Sequence, residues 1–182
     1  MIYLINFLTW FRLISGPVIF FLILVFNTYG FALILFIMAS VSDYLDGHLA
    51  RKYDCESTLG EVLDPIADKI LTLFLIATLT LHFQSFFIGF IGSIILSREL
   101  WVGALRDMNA RGGNEDATSV SYVGKLKTTF QFIAFFSYLV GIFLNNALVI
   151  FISDFILLAA LIFTIYSGFL YTIDTFSIKS KQ

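Results

Sequence analysis

The chain has 182 residues, of which 59% are hydrophobic, 18% aromatic and 13% charged, with a mean hydropathy of +0.91 and a formal net charge of −2. Soluble domains carry about 25% charged residues and disordered chains are poorer still in apolar ones, so both classes are excluded. Without a basic excess a nucleic-acid partner is excluded too, and a single Cys gives no disulfide framework.

A bilayer core of about 30 Å asks for roughly 20 mostly apolar residues per helix. The first charge-free stretch, Leu13 to Ser42, is too long for one span and is broken by Asn27, Thr28, Tyr29 and Gly30, which predicts helices near 6–26 and 30–51. The second, Ile70 to Ser97, is broken by His82, Gln84 and Ser85, which predicts helices near 58–81 and 85–107. The third, Thr128 to Ser153, is interrupted by Asn145 and Asn146, which predicts helices near 122–144 and 148–173. Segments such as Phe20-Phe21-Leu22-Ile23-Leu24-Val25-Phe26 lack the two-residue alternation of barrel strands. The expected fold is therefore all-α: an integral membrane bundle of six transmembrane helices, with residues 1–182 as a single domain. No basic residue precedes the first apolar run and no small-residue cleavage site follows it, so a removable leader is not expected.

Charge placement orients the bundle. Arg12, Arg51, Lys52, Lys69, Arg98, Arg106, Arg111, Lys125, Lys127, Lys179 and Lys181 all fall toward one side of six alternating spans. The opposite turns at 27–30, 82–85 and 145–147 hold no Lys or Arg. By the positive-inside rule the basic side, with both termini, is cytoplasmic.

Four acids stand where a membrane should not tolerate them. At 1.5 Å per helical residue, Asp43 lies thirteen residues below Gly30 and Asp68 fourteen below His82, both roughly 20 Å deep. Asp46 and Asp64 come out at roughly 24–27 Å. Asp43 and Asp46 are spaced i, i+3 and Asp64 and Asp68 i, i+4, so each pair shares one helix face. Gly47 and Gly60 extend the two stripes, where small residues permit close approach. A lone acid near a helix end can snorkel or pair with Arg51, Lys52 or Lys69. A cluster of four is costly without a compensating cation, and oxygen ligands of this kind suit Mg²⁺ or Mn²⁺ at one or two sites. Divalent ions in a membrane point to phosphate chemistry, where a metal clamp stabilises an in-line displacement. A divalent-cation transporter is the rival from another class, but it accounts neither for Gly47, Ala50 and Arg51 nor for charges confined to one side.

Asp43, Asp46, Gly47, Ala50, Arg51, Gly60, Asp64 and Asp68 spell Asp-x-x-Asp-Gly-x-x-Ala-Arg, eight residues, then Gly-x-x-x-Asp-x-x-x-Asp. This pattern resembles the signature of the CDP-alcohol phosphatidyltransferase family, without a departure. Asn6, Thr9 and Arg12 look like the family's Asn-x-x-Thr-x-x-Arg opening. Ser97-Arg98-Glu99, Ala104-Leu105-Arg106 and Gly124-Lys125-Leu126-Lys127-Thr128 resemble the branch that uses sn-glycerol 3-phosphate.

The resemblance implies a six-helix fold, usually a homodimer, with its active site at the cytoplasmic ends of the second and third helices. It implies transfer of the phosphatidyl group of CDP-diacylglycerol to glycerol 3-phosphate, giving phosphatidylglycerophosphate and CMP. Serine, an inositol phosphate or phosphatidylglycerol are the alternative acceptors. By position, Asp43, Asp46, Asp64 and Asp68 would hold two divalent ions, with Asp68 also the proton acceptor. Gly47, Arg51 and Ser57, with Asn6 and Thr9, would contact CDP-diacylglycerol. Ala50 and Gly60 would serve close packing. Arg98, roughly 20 Å below the outer turn by the helical rise, would join Arg106, Lys125 and Lys127 in binding the acceptor phosphate. The expected location is a bacterial cytoplasmic membrane, with the site facing the cytoplasm. His48 reads as interfacial, Cys55 as an unreactive lone thiol, and Tyr3, Trp10, Trp101 and Tyr122 as an interfacial belt. Asp154, toward the outer side, has no reading beyond an interhelical hydrogen bond.

Overall fold

The computed structural model of the protein describes residues 2–53, 58–111 and 122–179, with backbone alone for 2–5, 44–53, 58–62, 122, 123, 125 and 177–179. The described residues form six helices: α1 Ile2–Leu24, α2 Tyr29–Tyr53, α3 Thr58–Phe83, α4 Phe86–Arg111, α5 Tyr122–Leu144 and α6 Ala147–Lys179. No strand occurs among them, as the absent alternation requires.

The three outer turns are where the sequence breaks predict them, and one device closes each. Asn27, Gln84 and Asn145 take φ of 53°, 49° and 50°, the left-handed residue that ends a helix. Thr28 N–H then donates back to the Leu22 carbonyl at 2.8 Å, and Asn146 N–H to Gly141 at 3.0 Å. The next helix is capped at once. Asn146 Oδ1 accepts from the backbone N–H of Leu148 and Val149, and Ser85 Oγ from that of Ile88.

Among the described residues five helices are long and apolar enough to cross a membrane, and α2 contributes a shorter apolar stretch, Tyr29–Asp43. Five helices depart from their expected bounds, by no more than four residues at any end except the C-terminal end of α6. Continuing the helical hydrogen bonds satisfies backbone groups more cheaply than stopping, so α4 runs on to Arg111 and α6 to Lys179.

The helices pack as α1 on α2, α2 on α5, α5 on α6, α6 on α4, α4 on α3 and α3 on α1. They close a ring. Its inner stripes are Ile19 and Ile23 of α1, Phe36 of α2, Leu71, Leu75 and Leu79 of α3, Ile95 of α4, Phe135 and Leu139 of α5 and Leu157 of α6. Phe31, Phe86, Leu148 and Phe155 face outward, as lipid contact allows. At Gly16 a Cβ would stand 3.2 Å from the Leu71 Cα, so α1 and α3 touch backbone to backbone. That close approach places α1 directly beside the acids of α3.

Candidate active site

Helix α1 presents Thr9 and Arg12 on its buried face, one turn apart. On one side it meets α2, which carries Asp43, and on the other α3, which carries Asp64 and Asp68. Arg12 is 0% exposed and its guanidinium binds all three acids. Nη1 donates to Asp43 and, at 2.9 Å, to Asp68, while Nη2 donates to Asp64 at 3.2 Å. Thr9 Oγ1 donates to the same Asp64 oxygen at 2.7 Å. Asn6, a turn earlier on α1, is half-buried.

The charges depend on one another. A buried Arg without a counter-charge is expensive in a membrane, and so are three carboxylates without a cation. Yet the arrangement is lopsided. The carboxylate side chains of Asp43, Asp64 and Asp68 are 41%, 39% and 44% exposed, so the cation is enclosed while the acids face an opening. Three negative groups and one positive one leave a formal −2.

A second polar set lies across the ring. Lys127 of α5 donates to Glu99 Oε1 of α4 at 2.9 Å, both side chains nearly enclosed. Arg98 points to α6, where Nη2 donates to Ser167 Oγ at 2.8 Å and Gly168 leaves room for its stem. Arg106 lies over the Tyr171 ring, 5.7 Å from its centre. Glu99 is within electrostatic reach of Asp68, and Arg98 and Arg106 are within reach of Lys127. The two sets therefore face one another through Glu99.

A family model for CDP-alcohol phosphatidyltransferases matches residues 2–166. The chain belongs to the CDP-alcohol phosphatidyltransferase family. A relative in Wigglesworthia glossinidia brevipalpis, named CDP-diacylglycerol–glycerol-3-phosphate 3-phosphatidyltransferase, is 39% identical over 137 residues, covering 72% of this chain and 74% of its own. A relative of the same name in Escherichia coli (strain K12) is 36% identical over 130 residues, 70% of this chain and 71% of its own. Phosphatidyltransferases of this family are generally divalent-metal dependent.

The donor set fits such an ion in chemistry: hard carboxylate oxygens, partly exposed, three of them to one guanidinium among the described side chains. Among the described residues no three acids already surround one common ion site; they surround Arg12 instead. The side chains of Asp46, Gly47, His48, Ala50, Arg51, Gly60 and Lys125, with Tyr3 and Tyr122, lie outside the described residues, as do Cys55 and Ser57 altogether.

Two phosphatidyltransferase residues escape a reading of the sequence by depth and spacing. Arg12 counts there only as a basic residue and part of the opening motif, although an Arg one turn after a polar Thr in an apolar helix signals a buried partner. Glu99 is quoted only beside Arg98, yet it is the partner of Lys127. Asp154 does find its interhelical hydrogen bond, from the Tyr138 hydroxyl. Trp10 and Trp101 are half exposed.

Proposed function

We propose that this integral membrane transferase moves the phosphatidyl group of CDP-diacylglycerol onto sn-glycerol 3-phosphate, releasing phosphatidylglycerophosphate and CMP. The convergence of Asp43, Asp64 and Asp68 on Arg12 at the base of the apolar spans carries the reading, since it gathers motif residues from separate helices. The names of the relatives support the acceptor.

Asp43, Asp46, Asp64 and Asp68 are the residues to hold two divalent ions, Mg²⁺ or Mn²⁺. When bound, such ions neutralise the donor's diphosphate and polarise the phosphorus under attack. Asp68 takes the proton of the acceptor hydroxyl as its oxygen bonds to the phosphatidyl phosphorus. The bond from that phosphorus to the CMP oxygen breaks, and CMP leaves with the electron pair. Thr9 and Arg12 hold Asp64 and Asp68 in place from α1. Gly47 lets the nucleotide lie against α2, and Arg51 offers a bidentate fork to phosphate oxygens. Ser57, Asn6 and Thr9 complete the donor contacts, with Ala50 and Gly60 keeping the helices close.

Arg98, Arg106, Lys125 and Lys127 receive the acceptor's phosphate. Lys127 is already neutralised by Glu99, so Arg98 and Arg106, held by neutral partners, are the stronger anion binders. The whole chain acts as one domain and pairs as a homodimer. Its site opens toward the cytoplasm of a bacterial membrane, with both termini on that side.

The test is purified protein in detergent with Mg²⁺, CDP-diacylglycerol, and glycerol 3-phosphate, serine or inositol phosphate offered separately and in competition. CMP release with glycerol 3-phosphate as the preferred acceptor is expected. No release with any acceptor would remove the transferase reading, and a preference for serine would move the acceptor.

A further inference from the structure

A cavity of about 440 Å³ opens at the end of the bundle opposite the acids. It lies where α2 and α6 begin and α3 and α5 end, so it is the mouth of the ring at the outer turns. Four rings line it: Tyr29, His82, Phe83 and Phe143. Tyr29 meets His82 with ring centres 5.6 Å apart at 77°, and His82 meets Phe83 at 5.0 Å and 83°. Phe83 is braced from below by the buried Tyr138, 5.9 Å away. Phe143 comes in over Gly30, where a Cβ would stand 3.2 Å from its Cε2, so the missing side chain makes the seat for this ring. The Tyr29 hydroxyl donates to Asn27 Oδ1 at 3.1 Å, which fixes the first wall. The exposed Asn145 and the more deeply set Ile142 and Ile150 complete the lining.

Charge narrows what such a box can hold. No Lys, Arg, Asp or Glu lines it, and the turns at 27–30, 82–85 and 145–147 contain none. A phosphate would find no basic fork there, and a hard metal ion no carboxylate. Aromatic faces carry negative potential, and rings set at right angles make a corner in which more than one face can turn to a cation. Cages of this kind recognise ammonium groups. The volume lies in the usual range for small-molecule sites, about 300–1,000 Å³. The surroundings say which ammonium. Phe143, Leu144 and Leu148 are each more than half exposed, so the mouth is rimmed by apolar surface that acyl chains would cover.

We infer that this aromatic box binds the ammonium headgroup of a zwitterionic phospholipid in the leaflet opposite the acid cluster. Asp68 lies fourteen residues along α3 from His82, roughly 20 Å by the helical rise, so this lipid is a structural ligand and not a substrate. It joins α2, α3, α5 and α6 at one point.

The test is native mass spectrometry of the delipidated protein in detergent, titrated with dioleoyl phosphatidylethanolamine, its N-acetylated form or dioleoyl phosphatidylglycerol. The ethanolamine lipid should bind about tenfold tighter than either of the others, or ~1.4 kcal/mol. Equal binding of the ethanolamine lipid and its N-acetylated form overturns the inference, and this comparison needs only wild type. Tyr29→Leu and Phe143→Leu should each weaken the ethanolamine lipid about fivefold, ~1 kcal/mol, and leave phosphatidylglycerol within about twofold, ~0.4 kcal/mol. Tyr29→Phe and Phe143→Tyr keep a ring and should bind as wild type does. Phe86→Leu, an exposed ring at the outer end of α4 that does not line the box, is the control. Equal losses for both headgroups, no loss in the Leu variants, or no rescue by the aromatic ones overturns the inference. So does displacement of the lipid by an equal concentration of free phosphoethanolamine, which would make the ligand a solute.

Discussion

Two charged clusters face each other across the bundle, and they are built to opposite plans. In the Arg12 cluster the cation is sealed and three acids keep about two-fifths of their side-chain surface open. In the Lys127–Glu99 pair both partners are shut in, at 8% and 12% exposure. On the proposed reading the open acids are the side that receives cations, whereas the closed one-to-one pair has its charge already satisfied. The comparison divides the polar interior into an open, acid-rich side on α1, α2 and α3, the reactive side under the proposed function, and a closed side on α4, α5 and α6.

The most severe way to test that division is at Asp68. Asp68→Asn keeps the shape and a hydrogen-bond acceptor for Arg12 but cannot take a proton. Turnover should fall about 10²–10⁴-fold, the usual share of general-base catalysis, with binding of CDP-diacylglycerol largely kept. Normal turnover would strip Asp68 of its role and leave it a mere partner of Arg12.

Arg12→Ala comes next. It leaves three acids without their cation, and breaking a buried charge set of this kind costs about 4–5 kcal/mol. The melting temperature in detergent with EDTA should drop steeply, and added Mg²⁺ or Mn²⁺ should restore much of it, more than it raises wild type. A drop that divalent ions do not touch would mean the acids are not a cation site. Arg12→Lys keeps the charge and loses the fork, so it should fall between the two.

The closed pair should behave differently. Glu99→Leu alone strands Lys127 and should cost about 3 kcal/mol, the lower end of the range for a broken buried pair. Glu99→Leu with Lys127→Met should regain most of that in a melt, because a matched apolar pair often replaces a buried salt bridge without loss. Failure of the double variant to recover would show that the pair is needed by more than each other, and the two-sided division would weaken.

How much of this was legible beforehand follows from what each feature depends on. The six helices are written in three charge-free stretches, each broken by a short polar turn, and Asn27, Gln84 and Asn145 end their helices at those breaks. The depth of Asp43 and Asp68 is a count of residues, so it too is local. Arg12 is not. Its meaning arises from α1 being wedged against both α2 and α3, an arrangement no spacing within α1 encodes. Arg98 is the intermediate case: its depth was readable, but its partner on α6, Ser167, lies 69 residues away. The long C-terminal end of α6 was illegible for another reason, since counting apolar residues measures the membrane and not the helix.

The smallest expected effect lies outside both clusters. Tyr138 is buried and donates its hydroxyl to Asp154, about seven residues inside the outer turns of α5 and α6, or roughly 10 Å by the helical rise. Beside it Ser153 donates to Ser137 at 2.7 Å, so the same pair of helices keeps a second polar link. Tyr138→Phe deletes the donor and leaves a half-buried acid, at a cost of about 1–2 kcal/mol. The ring still packs against Phe83, which limits the damage. Because the site is at the other end of the spans, KM and kcat should be unchanged while the melting temperature falls by a few degrees. A loss of turnover in a variant that melts normally would mean the outer half of the bundle communicates with the acids, and the chemistry would no longer belong to α1, α2 and α3 alone.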